Sequence, residues 1–154
     1  MYRILQEAAG NPCVVAPVTA WILSQLLKFC LTAIQTGNFL PERLVGSGGM
    51  PSAHGATVCA LTTSIGMTSG VGGTDFALAA IFALVVMYDA RGVRREAGRH
   101  AKALNRLCAR AAEEGHSIST EKPFHEMVGH TMPQVLLGAI LGILVAVVIC
   151  QIMA

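Results

Sequence analysis

The sequence predicts an all-α fold: an integral membrane helical bundle with about four transmembrane helices and one cytoplasmic amphipathic helix, in a single membrane domain over residues 1–154. Three observations lead there. Hydrophobic residues make up 53% of the chain. Charged residues make up 13%, against roughly 25% in a soluble domain that must cover its surface. Those charges collect mid-chain and leave long stretches nearly free of them, and a spanning helix needs about 20 mostly apolar residues.

The first such stretch, residues 12–34 (PCVVAPVTAWILSQLLKFCLTAI), is interrupted only by Lys28. Met1 to Asn11 lacks a basic region leading into an apolar core, so the first span is expected to stay as an anchor rather than to leave as a signal peptide. Residues 55–73 are uncharged but rich in Thr, Ser and Gly, the composition of a helix packed tightly among other helices. Residues 76–88 (FALAAIFALVVMY) are strongly apolar and become long enough to span when extended to 74–92. Residues 134–154 (QVLLGAILGILVAVVICQIMA) carry no charge at all.

Between the third and fourth spans, Val93, Ala97, Ala101, Leu104, Cys108 and Ala111 recur at intervals of three or four. Arg94, Arg95, Arg99, Lys102, Arg106 and Arg110 lie mostly off that stripe, which predicts a basic amphipathic helix over residues 93–113. Such a helix lies on an anionic membrane surface or on its own bundle. With four spans, the loops at 35–52 and 91–129 share a face holding nine of the chain's lysines and arginines, whereas the opposite face holds Arg3. By the positive-inside rule the rich face is cytoplasmic and both termini point outward, in what is expected to be a bacterial plasma membrane. The formal charge of +2 and its placement argue against a nucleic-acid partner. Five dispersed cysteines form neither a disulfide framework nor a CxxC site and read as small buried hydrophobes.

Two short segments stand at the cytoplasmic ends of spans two and four. In Gly48-Gly49-Met50-Pro51-Ser52-Ala53-His54 a proline near a helix start follows glycines that let backbone approach a ligand. Free N–H groups and the positive dipole end make a helix start an anion site, to which Ser52 adds a hydroxyl and His54 a proton carrier. Gly129-His130-Thr131-Met132-Pro133 repeats the theme of histidine and proline before a helix. Lys28 lies in the cytoplasmic half of span one, where a charge costs ~2.5–3.5 kcal/mol at mid-membrane, and is most economically explained by an internal anion. Arg43, Arg91 and Arg94 fall at the same level and suit bidentate contacts to phosphate oxygens. Asp89, Arg91 and Arg94 alternatively form an ion-pair cluster at the membrane interface. His125, Glu126 and His130 form a HExxxH string, but zinc-protease histidines are four apart rather than five, so no metal and no cofactor is expected.

GGMPSAH and GHTMPQVLLGA resemble the second and third signature motifs of the phosphatidic acid phosphatase type 2 and vanadium haloperoxidase superfamily. With VMYDARGVRREAGRHAKALN between them, the pattern over roughly residues 20 to 145 resembles the superfamily's divergent membrane branch. The resemblance implies that His130 attacks phosphorus to form a phosphohistidine and that His54 protonates the leaving alcohol. It further implies that Ser52, the Gly49 backbone and Lys28 hold the phosphate, without a metal. Where the superfamily's first motif has Arg-Pro, this chain has Gln35-Thr36, and Arg43 is taken for the missing arginine. Where the third motif begins with Ser-Arg, this chain has Pro123-Phe124, and Arg91 or Arg94 substitutes. The aspartate expected four residues after the nucleophile is Gln134, leaving the orienting role to Gln134, Glu126 or Asp89.

The implied activity is hydrolysis of lipid phosphate monoesters or diphosphates, with a membrane lipid as the partner. A catalytically inactive phosphate- or lipid-binding membrane protein, either transporter or scaffold, is the alternative. The superfamily core normally has six helices, so four spans imply a trimmed core or a homodimer.

Overall fold

The computed structural model describes residues 1–37, 49–116, 123–124 and 129–154. Its order is α1 (Tyr2–Ala9), α2 (Pro12–Thr36), α3 (Ala53–Ser69), α4 (Thr74–Arg91), α5 (Val93–Glu113) and α6 (Met132–Met153), with no strand among the described residues. Among the described residues three stretches are long and apolar enough to cross a membrane: Pro12–Ile34, Thr74–Glu113 through its α4 part, and Met132–Met153. At 17 residues α3 is ~25 Å long. It nevertheless runs between α2, α4 and α6 and touches all three, which makes it the fourth member of the bundle.

That central position explains the composition of α3. Three helices pack against α3, and side chains facing them must be small for the backbones to approach. Ala56 and Ala60 of α3 form a buried cluster with Ala16 and Ala20 of α2 and Ala146 of α6. A Cβ on Gly142 would collide with the Ala56 carbonyl, and one on Gly138 with the Ser52 carbonyl. The α3 hydroxyls satisfy themselves on backbone: Thr57 Oγ1 donates to the Ala53 carbonyl at 2.8 Å, and Thr62 Oγ1 reaches both Val58 (2.9 Å) and, on α4, Ala79 (3.1 Å). Thr62 thus fastens α3 to its neighbour, in keeping with the packed helix that the Thr, Ser and Gly content predicts.

Local signals set the helix ends. Asn11 caps α2 by accepting from the Cys13 N–H at 2.9 Å, with Pro12 in the first turn and Gly37 in the left-handed conformation after the last. Ser52 caps α3 and accepts from the Gly55 N–H at 3.3 Å. α3 stops at Ser69, short of the expected limit at residue 73, because Gly70 takes a φ of +84° and the Gly-rich turn to α4 begins there.

α5 occupies the expected residues and packs on α4; Gly98 is its one buried residue. Leu104 and Leu107 on its apolar side remain exposed. α1, which the sequence reading passed over, is a short helix without a buried residue, carrying an exposed Arg3–Glu7 pair at 3.0 Å. The expectation of buried cysteines holds for Cys150, while Cys30 is exposed and Cys13, Cys59 and Cys108 are half-buried. An apolar run in a membrane bundle has a lipid-facing side as well as a packed one, and composition does not separate them.

Candidate active site

The site forms where the starts of α3 and α6 meet the break between α4 and α5. One backbone bond joins the two helix starts: the Ser52 N–H donates to the Gln134 carbonyl at 3.0 Å. Another fixes the segment before α6, since the His130 N–H donates to the Ala90 carbonyl at 2.9 Å. Gly129 makes that approach feasible. Its φ is +88°, and a Cβ there would strike the backbone of Arg94 and Arg95. His130 is thereby set against the α4–α5 junction at 2% exposure.

His54, in the first turn of α3, faces it. The two imidazole centroids lie 5.9 Å apart with the ring planes at 64°, an edge-on arrangement. Each ring keeps a buried Nδ1 without a hydrogen-bond partner among the described residues. Two buried imidazole nitrogens at the positive ends of two helices suit an anionic, proton-exchanging ligand.

Lys28 completes the cradle from α2. The residue is 3% exposed, and its Nζ donates to Gln25 Oε1 at 2.7 Å. Its stem lies across Gly49, whose absent Cβ would sit 3.2 Å from the lysine Cγ and whose φ of +86° suits glycine. Ser52 is fully buried; its Oγ accepts from Gly55, which leaves the hydroxyl hydrogen for a ligand. Burial lowers the His130 pKa below its ordinary 6.5, and the nearby His54 and Lys28 lower it further. The Gln134 side chain and the Gly49 backbone pull weakly the other way. At neutral pH His130 is therefore a neutral imidazole with a free electron pair, the form a nucleophile needs.

Arg94 Nε donates to Asp89 Oδ2 at 2.8 Å, and both side chains are about two-fifths exposed. Together with His54 they line one end of a cavity of about 590 Å³ bounded by α2, α3 and α4. Arg91 is not brought in: it is exposed, outside the cavity wall and without an ion pair among the described residues. Residues three apart share a face on a continuous helix, but the break at Gly92 (φ −89°, ψ −84°) separates Arg91 from Arg94. Arg43 and Glu126 lie outside the described residues.

The structure thus gathers His54, His130, Ser52, Gly49, Lys28, Gln134, Asp89 and Arg94 at one end of the bundle. Gln134 caps as well as neighbours the nucleophile candidate, its Oε1 accepting from the Thr131 N–H at 2.9 Å. Gln25 is a site residue the sequence reading passed over. Its signal was available as the single carboxamide of residues 12–34, placed three residues before Lys28.

A family model described as "Divergent PAP2 family" matches residues 9–145. An uncharacterized membrane protein of Bacillus subtilis (strain 168), YuiD, is 32% identical over 152 residues, covering 93% of this chain and 96% of that one. No solved structure matches the chain.

Proposed function

The chain belongs to the divergent PAP2 family, and from that premise we propose that it is a membrane phosphatase acting on lipid phosphate monoesters or diphosphates. The observation that carries this reading is the meeting of His54 and His130, 5.9 Å apart, beside buried Lys28 and Ser52. In the proposed reaction an imidazole nitrogen of His130 forms a bond to phosphorus while the bond from phosphorus to the lipid oxygen breaks. His54, protonated, gives its proton to that oxygen, releasing the alcohol, or the lipid monophosphate when the substrate is a diphosphate. Water then attacks the phosphohistidine and leaves its proton on His54, and inorganic phosphate departs. Lys28, the Ser52 hydroxyl and Arg94 supply the fixed positive charge and donors that the equatorial oxygens need.

In this reading the site faces the cytoplasm, because Arg91, Arg94, Arg95, Arg99, Lys102, Arg106 and Arg110 cluster at its end of the bundle. The gathered residues come from a single chain, so a homodimer is not required for chemistry. One observation favours a second reading, a phosphate- or lipid-binding protein without turnover: Gln134 carries no charge to stabilise an imidazolium, and its oxygen is engaged by Thr131.

Phosphate release by detergent-purified protein from a panel of lipid phosphates and diphosphates separates the two. The phosphatase reading expects release that falls by about 10²–10⁴ in His130→Ala and His54→Ala while both variants stay folded. Release no greater than that of the variants on every substrate, with vanadate binding that depends on Lys28 and Ser52, would establish the second reading instead.

A further inference from the structure

The cavity that carries His54, Asp89 and Arg94 at its polar end is otherwise apolar. Its walls are Trp21 from α2, Thr57 and Val58 from α3, and Phe82, Val85 and Val86 from α4. Trp21 lies seven residues from Lys28 along α2 (28 − 21), and Phe82 seven from Asp89 along α4 (89 − 82). At 1.5 Å per residue both stand about 10 Å below the polar end. Trp21 is 49% and Phe82 54% exposed, so the cavity opens sideways between α2 and α4 onto the surface that a bilayer would cover.

We propose that this cavity seats the first eight or so carbons of the substrate's hydrocarbon chain and sets a chain-length preference, with the chain carried on the oxygen that His54 protonates. The inference rests on the phosphate site of the proposed function. Three features select an alkyl or isoprenyl chain as the occupant. The apolar walls are continuous with a polar end made by His54 and the Arg94–Asp89 ion pair, with Lys28 adding positive charge close by, which matches a molecule that is anionic at its head and apolar beyond. The lateral opening admits a chain that never leaves the membrane. And His54 lines the cavity whereas His130 does not, so a phosphorus atom held at His130 has its leaving oxygen, and whatever that oxygen carries, on the cavity side. An extended chain advances roughly 1.2 Å per bond, which fits about eight carbons into 10 Å. Carbons beyond the eighth emerge past Trp21 and Phe82 and meet lipid, where length no longer matters.

Trp21 is the chain's single tryptophan and reports on the seat directly. The full chain in nanodiscs of unbrominated phosphatidylcholine is titrated with alkyl phosphates of 4, 8 and 12 carbons, each brominated at its eighth carbon or, for the shortest, its last. The proposal expects saturable quenching of Trp21 by the 8- and 12-carbon probes, relieved by unbrominated octyl phosphate, with little quenching by the butyl probe or by 8-bromooctanol. Quenching that does not saturate, or that is equal for the phosphate and the alcohol, overturns it. As a second measurement, kcat/KM for phosphate release is expected to rise about threefold per added methylene up to eight carbons and then level off, since a buried methylene gains roughly fourfold at best. Val86→Trp, which fills the cavity, is expected to reduce release from octyl phosphate at least tenfold more than from butyl phosphate; an unchanged ratio overturns the assignment. Saturable quenching without phosphate release from any substrate would leave the chain seat standing and remove the phosphatase.

Discussion

The backbone N–H of Ser52 donates to the carbonyl of Gln134 at 3.0 Å, so the residue that caps α3 is bonded to the first turn of α6. The geometry of the proposed site is therefore a consequence of how closely two helices approach. His54 is carried two residues beyond Ser52, and His130 precedes Gln134 by four, so any separation of α3 from α6 moves one imidazole away from the other.

Glycines set that approach. A Cβ at position 142 would run into the Ala56 carbonyl, which is backbone and has nowhere to move unless the helices part. Gly142→Ala is expected to destabilise the protein by about 1–3 kcal/mol, the usual range for overpacking, and to lower phosphate release with it. Gly72→Ala, where the added atom meets nothing within 4 Å, serves as the control and is expected to unfold with wild type. Thermal unfolding in detergent followed by circular dichroism checks both; equal melting temperatures for the two variants would contradict the packing assigned to α3 and α6.

His130 gives stability a pH dependence of known sign. Its folded-state pKa lies below the ordinary 6.5, chiefly because it is buried, so the unfolded chain binds the proton more readily than the folded one. The stability it contributes is complete above about pH 6.5 and is lost as pH falls below that value through the folded-state pKa. Wild type is thus expected to lose melting temperature relative to His130→Asn between pH 7 and pH 5. The acid limb of the release profile should lie below 6.5 for the same reason. Gln134→Glu sets a carboxylate beside the imidazole, favours its protonated form, and should move that limb to higher pH. A limb that stays in place assigns the titration to another group.

Much of this arrangement is legible in the sequence. The extents of α2, α5 and α6 follow from charge-free length and from the three-and-four spacing of Val93 to Ala111, and the two histidine segments stand out because each joins glycine, histidine and proline at a helix start. Other features depend on three-dimensional facts that spacing does not carry. Gly138 and Gly142 look like ordinary members of a hydrophobic run until α3 is laid against them. Arg91 and Arg94 look equivalent until the backbone at Gly92 departs from helical values. The chain seat is assembled from Trp21, Val58 and Phe82 on three helices, each of which alone reads as a lipid-facing or packing residue.

The break at Gly92 places the two arginines in different surroundings. Arg94 is held by Asp89 at 2.8 Å at the polar end of the cavity, whereas Arg91 is exposed and outside it. Arg94→Ala is expected to lower kcat/KM by about 10- to 100-fold through loss of a charge-assisted contact to phosphate oxygens, with Arg91→Ala within twofold of wild type. Steady-state release from one lipid phosphate tests the pair. Comparable losses in both variants would mean that the two arginines act as one electropositive surface instead of a placed side chain and a bystander.

The proposed orientation across the membrane rests on charge placement and is open to a direct chemical test. Lys102 is exposed on α5 at the basic end of the bundle, and Gly72 lies in the turn between α3 and α4 at the opposite end, in open space. In a background with all five native cysteines replaced, Lys102→Cys is expected to resist a membrane-impermeant maleimide in intact cells and to react once the membrane is permeabilised. Gly72→Cys is expected to react from outside intact cells. Each basic residue near the end of a spanning segment favours retention on the cytoplasmic side, and seven of them from Arg91 to Arg110 oppose Arg3 alone. The reverse labelling pattern would turn the site outward, and the lipid phosphates of the outer leaflet would become its substrates.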